Sequence, residues 1–252
     1  ATSNFAVTGD TTPPTVSSVA ITSATGIQNN LLNAGDNVSV TATFSESVIV
    51  DNASGTPTLI LVVGSDNRTA TFASGSPSTA LVFQYTIQAG ETDDNGTSIG
   101  ADVLALTGGT IRDPAGNNAT LSHSAVSDNT SYKVDTTVPT VNSFTISDTL
   151  LVVGDNATVE LVFSEPASFS SDDDINLDNA TGLLSTMSPN GDGTTWTGTF
   201  TPTTGREVDN NTLSLDTTYT DLAGNAGPSA TTSNFEVETK APTGSFTFTD
   251  YH

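Results

Sequence analysis

Oxygen ligands are the chief chemical resource of this chain: 28 Asp and Glu residues stand against five Lys and Arg, for a net charge of −23 over 252 residues. There is no cysteine, and His123 and His252 are the only histidines. Zinc and copper sites draw on Cys and His, so neither metal suits this composition. A Ser-His-acid arrangement needs a histidine beside its nucleophile. Ser45 and Ser164 each precede a Glu, yet no histidine recurs with them. Paired carboxylates can hydrolyse glycosides, but here the acids recur at matching places along the chain, as structural ligands do. The chemistry left is the holding of a hard cation. Ca2+ takes about six to eight oxygens at roughly 2.3–2.6 Å.

The acids sit in a repeating frame. Residues 10–16 read Asp-Thr-Thr-Pro-Pro-Thr-Val, residues 135–141 read Asp-Thr-Thr-Val-Pro-Thr-Val, and a weaker copy begins at Glu238. An aromatic and a valine two residues on precede each copy: Phe5 and Val7, Tyr132 and Val134, Phe235 and Val237. Gly35-Asp36-Asn37 leading to Phe44-Ser45-Glu46 matches Gly154-Asp155-Asn156 leading to Phe163-Ser164-Glu165. Asp113-Pro-Ala-Gly-Asn117 matches Asp221-Leu-Ala-Gly-Asn225. Landmarks in the same order define whole repeats over 10–135 and 136–238. Residues 1–9 then read as the last strand of a preceding repeat, and 239–252 as the start of a following one, so the chain reads as a segment of something longer.

The elements that carry these residues are strands. Val38, Val40, Ala42 and Phe44 alternate with polar residues, as do Leu81, Phe83, Tyr85 and Ile87; Trp196 and Phe200 keep the same period. Leu59 to Val63 is a continuous apolar run, which predicts a strand covered on both faces. No segment of helical length has a helical period. Short strands parted by Gly, Asn, Asp and Pro predict an all-β chain of tandem immunoglobulin-like antiparallel β-sandwich domains arranged end to end.

At the Asp-Thr-Thr-x-Pro joint, the Phe-Ser-Glu and the Asp-x-Ala-Gly-Asn, the sequence resembles the bacterial Ig-like repeats of giant calcium-dependent adhesins, including repeats-in-toxin adhesins exported by type I secretion. The resemblance runs along nearly the whole chain. It implies a long unbranched rod, extracellular or on the bacterial surface, with Ca2+ stiffening the joints between neighbouring repeats of one chain. It does not imply that this segment itself binds a host or a surface.

Topology supplies a separate argument for the same ion. In such a sandwich the joint, the end of the second strand and the loop before the last strand meet at the N-terminal end of the domain. For the first repeat this groups Asp10, Glu46, Asp113 and Asn117; for the second, Asp135, Glu165, Asp221 and Asn225. At the opposite end, Asp36 and Asp93 of the first repeat face the joint at Asp135, and Asp155 faces Glu238. Asp and Asn beside Gly also make turns without any metal.

Other features resolve more simply. Asp172-Asp173-Asp174 reads as a solvated loop. Asp93-Asp94-Asn95-Gly96 lacks the acid spacing of an EF-hand. Trp196 and Tyr85 read as core residues rather than sugar platforms. The negative charge excludes nucleic acid as a partner, and no apolar run is long enough for direct membrane insertion. The expectation is a monomeric, non-enzymatic structural extender of a surface adhesin, of unknown external ligand. The alternative is a module that binds a glycan or a protein through a loop face.

Overall fold

Alternation of apolar and polar residues becomes two β-rich units, residues 1–137 and 138–252, in a computed structural model that describes residues 9–244. The first unit contains β1 (Val16–Thr25), β2 (Leu31–Leu32), β3 (Asn37–Asp51), β4 (Thr58–Val63) and β5 (Asp66–Ser74). It continues with β6 (Ser78–Thr86), β7 (Thr92–Asp93), β8 (Leu104–Ala105), β9 (Thr110–Arg112) and β10 (Lys133–Asp135). Its main sheet runs β1-β3-β6-β5-β4-β8, and a smaller sheet runs β2-β10-β7. Val38, Val40, Leu81 and Phe83 of the large sheet share one core with Leu32 and Val134 of the small one. One inward face on each sheet is what the period-two alternation requires.

The second unit contains β11 (Val141–Ile146), β12 (Leu150–Val152), β13 (Ala157–Phe163), β14 (Ala167–Ser168) and a single helical turn, α1 (Ser171–Asp174). Next come β15 (Ile175–Asn176), β16 (Gly182–Leu184), β17 (Ser188–Pro189) and β18 (Thr195–Pro202). The unit closes with β19 (Glu207–Asn211), β20 (Ser214–Leu215), β21 (Thr220–Asp221), β22 (Ala230–Thr231) and β23 (Phe235–Glu238). The order β11-β13-β18-β16 repeats the first unit's plan, with β12-β23-β19, β15-β20-β22 and the pair β14-β21 as smaller sheets. Aromatic rings dominate this core: Phe200 meets Phe235 edge-on at 5.1 Å, and Phe163 lies 4.8 Å from Tyr219. The Tyr219 hydroxyl donates to the Pro228 carbonyl at 3.0 Å, so a buried phenol keeps a partner.

Several expectations meet the structure here. In β4, Leu59, Leu61 and Val63 are buried while Ile60 and Val62 are half-buried, because the strand lies inside its sheet between β5 and β8. Trp196 is half-buried, edge-on to Phe169 at 5.0 Å, and donates its indole N–H to Gly193. Tyr85 is half-buried too, its hydroxyl turned to Glu91. In the Asp172–Asp174 run, Asp172 and Asp173 are exposed, but the run forms the helical turn α1 and Asp174 is buried, accepting from the Ser170 amide and the Thr218 hydroxyl. The second unit also reaches past Glu238, since the buried Thr239 donates its hydroxyl to the Thr203 carbonyl at 2.6 Å. The terminal strands expected over 1–9 and 239–252 lie, but for Gly9 and 239–244, outside the described residues.

Candidate metal centre

β3 pairs with β6 up to Thr43, breaks register before Val48, and then pairs with β9 from Ile49. Such a break re-aims side chains, and Ser45 and Glu46 occupy it. Phe44 ends the regular ladder by turning into the core. Ser45 fastens the entry of β1: its hydroxyl oxygen accepts from the Thr15 amide at 3.0 Å and its own amide donates to the Thr15 carbonyl at 2.8 Å. Ser164 holds Thr140 in the same way, at 2.9 Å in each direction. The serine of Phe-Ser-Glu therefore fixes the chain that delivers the joint, a role not read from the sequence although the repeat of the tripeptide signalled it.

The loop before the last strand is built around Asp113. The Asn117 amide donates to Asp113 Oδ1 at 2.8 Å, and the Asn117 side-chain amide donates to Oδ2 at 2.7 Å. That amide nitrogen also reaches the Asp10 carbonyl at 3.0 Å, which ties the joint to the loop. Gly116 sits at φ +96°, a backbone region open to glycine, and lets the loop close this tightly. Asp10 in turn accepts from the Thr12 amide at 2.9 Å.

Asp10, Glu46 and Asp113 thus come together, each offering a carboxylate oxygen within 4.8 Å of the others. Two oxygens each about 2.4 Å from one calcium ion lie at most about 4.8 Å apart, so the spread suits a single such ion. The electrostatics are those of crowded anions. Burial, with the charges of Asp10 and Asp113, raises Glu46 above the usual carboxylate range. Burial also works to raise Asp113, but the hydrogen bonds from the Asn117 side chain and from the Asn117, Gly116 and Ala115 amides prevail and hold it low. Asp113 is therefore the fixed anion and Glu46 the strained one.

The second unit repeats the local construction. Asn225 donates its amide to Asp221 Oδ1 at 2.9 Å and its side-chain N–H to Oδ2 at 2.8 Å; the Ala223 amide adds a bond at 2.8 Å. Glu165 follows Ser164 in the gap between β13 and β14, and its carboxylate lies within 4.8 Å of Asp221's. Asp135 ends β10 and accepts from the Thr137 amide at 2.9 Å, as Asp10 does from Thr12. In sequence it stands to Glu165 and Asp221 as Asp10 stands to Glu46 and Asp113.

Asp93, Asp36 and Asp155 each accept from backbone amides. Asp93 is buried, with Oδ1 on the Gly96 amide and Oδ2 on the Gly64 amide. Its neighbour Glu91 is buried against Arg68 and Tyr85 and accepts from the Gln88 amide at 2.9 Å. Asp36 accepts from the Asn33 amide at 2.9 Å, and Asp155 from the Val152 amide at 3.1 Å. Glu238 is exposed at the end of β23, cross-strand from Glu207, which pairs with Lys240 at 3.4 Å.

Residues 135–237 match the family described as bacterial Ig-like domain. No curated protein matches the chain. Among solved structures, the Escherichia coli adhesin FdeC is similar at 10% identity and a TM-score of 0.38, over 89% of this chain and 63% of that one. The chain therefore spans less than two thirds of that adhesin chain. A chimeric titin Z1Z2 carrying a decorin peptide is similar at 11% identity and a TM-score of 0.28, over 90% of this chain and 99% of that one. The chain is nearly all β, and over residues 135–237 it is similar to the bacterial Ig-like domain family.

Proposed function

We propose that the chain is a structural extender of a large bacterial surface adhesin, displayed outside the cell, whose units are rigidified by Ca2+ at domain ends and joints. The observation that carries this reading is the meeting of Asp10, Glu46 and Asp113 within the span of one ion's coordination sphere. Each acid comes from a different stretch of chain, so one cation would tie the joint, the strand break of β3 and the loop after β9 together. The ion would relieve the repulsion that raises Glu46. It would also join the segment that links one repeat to the last to the body of the sandwich. The recurrence of Asp135, Glu165 and Asp221 in the same sequence frame extends the reading to the second unit. Its partners are then the adjacent repeats of its own chain. The bacterial Ig-like match over residues 135–237 supports a load-bearing rather than a catalytic role.

Thermal unfolding in calcium and in excess chelator tests the proposal. An ion bound only by the native state stabilises by about 2.7 kcal/mol at roughly a hundred times its dissociation constant. A clear rise of Tm in calcium is expected, with magnesium weaker because it demands a tighter octahedral shell. Identical melting curves in calcium and chelator would refute the metal-based reading.

A further inference from the structure

Strand β12, at one edge of a smaller sheet of the second unit, is short and apolar. Among the described residues β12 and β19 are the outer strands of β12-β23-β19; in β12 Leu150 and Val152 are 46% and 42% exposed, and Val153 just beyond is 65% exposed. An apolar edge of this kind is a template for another strand. The Leu150 amide, however, donates to Asp148 Oδ1 at 3.0 Å, and the Val152 amide to Asp155 Oδ2 at 3.1 Å. The Val152 carbonyl accepts from the Asp155 amide, also at 3.1 Å. Both amides are thus closed by carboxylates from the strand's own flanks.

We infer that Asp148 and Asp155 guard the β12 edge against strand pairing with a second copy of this chain. A second copy is the occupant this edge fits, because the strand is its own complement. In an antiparallel pair centred on Leu151, Leu150 of each copy lies opposite Val152 of the other, a closed two-fold contact. The same register brings the Asp148 end of one copy to the Asp155 end of the other, so like charges confront each other at both ends. Each aspartate therefore acts twice, by occupying an amide that pairing would need and by repelling its counterpart. The first unit has part of the same device: Asp36 accepts from the Asn33 amide at 2.9 Å, and the Asn33 carbonyl accepts from the Asp36 amide at 3.2 Å. There Asn33 and Ala34 stand where the second unit has Val152 and Val153.

Sedimentation velocity over a range of concentrations, with circular dichroism on the same samples, tests this in the full chain. The Asp148→Ala/Asp155→Ala variant should keep its fold and dimerise with a dissociation constant at least about tenfold below that of the wild type. Adding Val153→Lys should return it to the monomer. A folded double variant that stays monomeric overturns the inference, as does association that survives Val153→Lys. Should the alanine pair fail to fold, Asp148→Asn/Asp155→Asn keeps an acceptor for each amide and removes only the charge. That pair should dimerise more weakly than a folded open edge would, and a monomer at every concentration overturns the inference too.

Discussion

Asn117 grips the Asp113 carboxylate from two sides, main-chain amide on one oxygen at 2.8 Å and side-chain amide on the other at 2.7 Å. Its side-chain nitrogen, not its oxygen, faces the acid, so Asn117 fixes the orientation of the Asp113 carboxylate. Residues that orient a metal ligand typically contribute about 10–100-fold in affinity. Asn117→Ala is expected to weaken calcium binding by that order, and Asn225→Ala to do the same through Asp221. Titration calorimetry on each variant checks this. Unchanged affinity in both would show that the grip serves only the turn.

Glu46→Gln should have opposite effects with and without the ion. Glu46 is raised in the folded chain by burial and by Asp10 and Asp113, so the native state binds its proton more tightly than the unfolded chain does. Without calcium, stability from this group falls as pH rises through the carboxylate range, and ionised Glu46 weakens the fold at neutral pH. Asp113 has the opposite sign: its hydrogen bonds overcome burial to hold it low, and the stability it lends at neutral pH is lost on acidification. Glu46→Gln should therefore raise the Tm of the first unit in chelator and abolish its rise in calcium. Paired melts at neutral pH read both effects.

The second core can be tested apart from any metal. Truncating a buried phenylalanine costs about 3–5 kcal/mol, and Phe200→Ala should fall in that range because its ring is fully buried against Phe235. Gly227 lies against the Tyr219 ring, which an added Cβ would overlap. Overpacking of this kind costs about 1–3 kcal/mol, so Gly227→Ala should also be destabilising. Chemical denaturation of both variants gives the values.

Ionisation of the tyrosines reports on packing. Burial and the Glu91 hydrogen bond push Tyr85 up to about 12, and burial with the Asp174 charge does the same for Tyr219. Both phenols should stay protonated in the native chain through pH 10–11, while the unfolded chain titrates near 10. Folding stability should decline as pH climbs from about 10 towards 12. Ultraviolet titration of native and denatured chain measures the difference.

Much of this was legible in the residues because spacing survives folding. The alternation from Val38 to Phe44 became the buried face of β3, and Asp113 and Glu46, 67 residues apart by their numbers, met because the loop and the strand break share one end of the sandwich. What was not legible turned on partners supplied by distant segments or by the backbone. Asp93 reads as a candidate loop ligand, and the Gly64 amide that donates to it comes from a distant stretch of the chain. Glu91 is buried only because Arg68 of β5 and Tyr85 of β6 converge on it. Asp155 closes the Val152 amide of β12, and Asp36 the Asn33 amide just past β2. Three consecutive aspartates suggest water, yet Asp174 turns inward because Ser170 and Thr218 bind it.

Small-angle scattering of the whole chain, in calcium and in excess chelator at equal ionic strength, addresses the extender role most directly. Uncompensated carboxylates at a joint repel and favour varied angles, a tendency that salt weakens. With Ca2+ bound at Asp135 and its repeat partners, one arrangement should dominate, and the distance distribution should narrow relative to the chelated chain. Asp135→Ala should scatter like the chelated form even in calcium while both units stay folded by circular dichroism. Scattering curves that coincide in calcium and chelator, with both units folded, would contradict calcium stiffening of this segment.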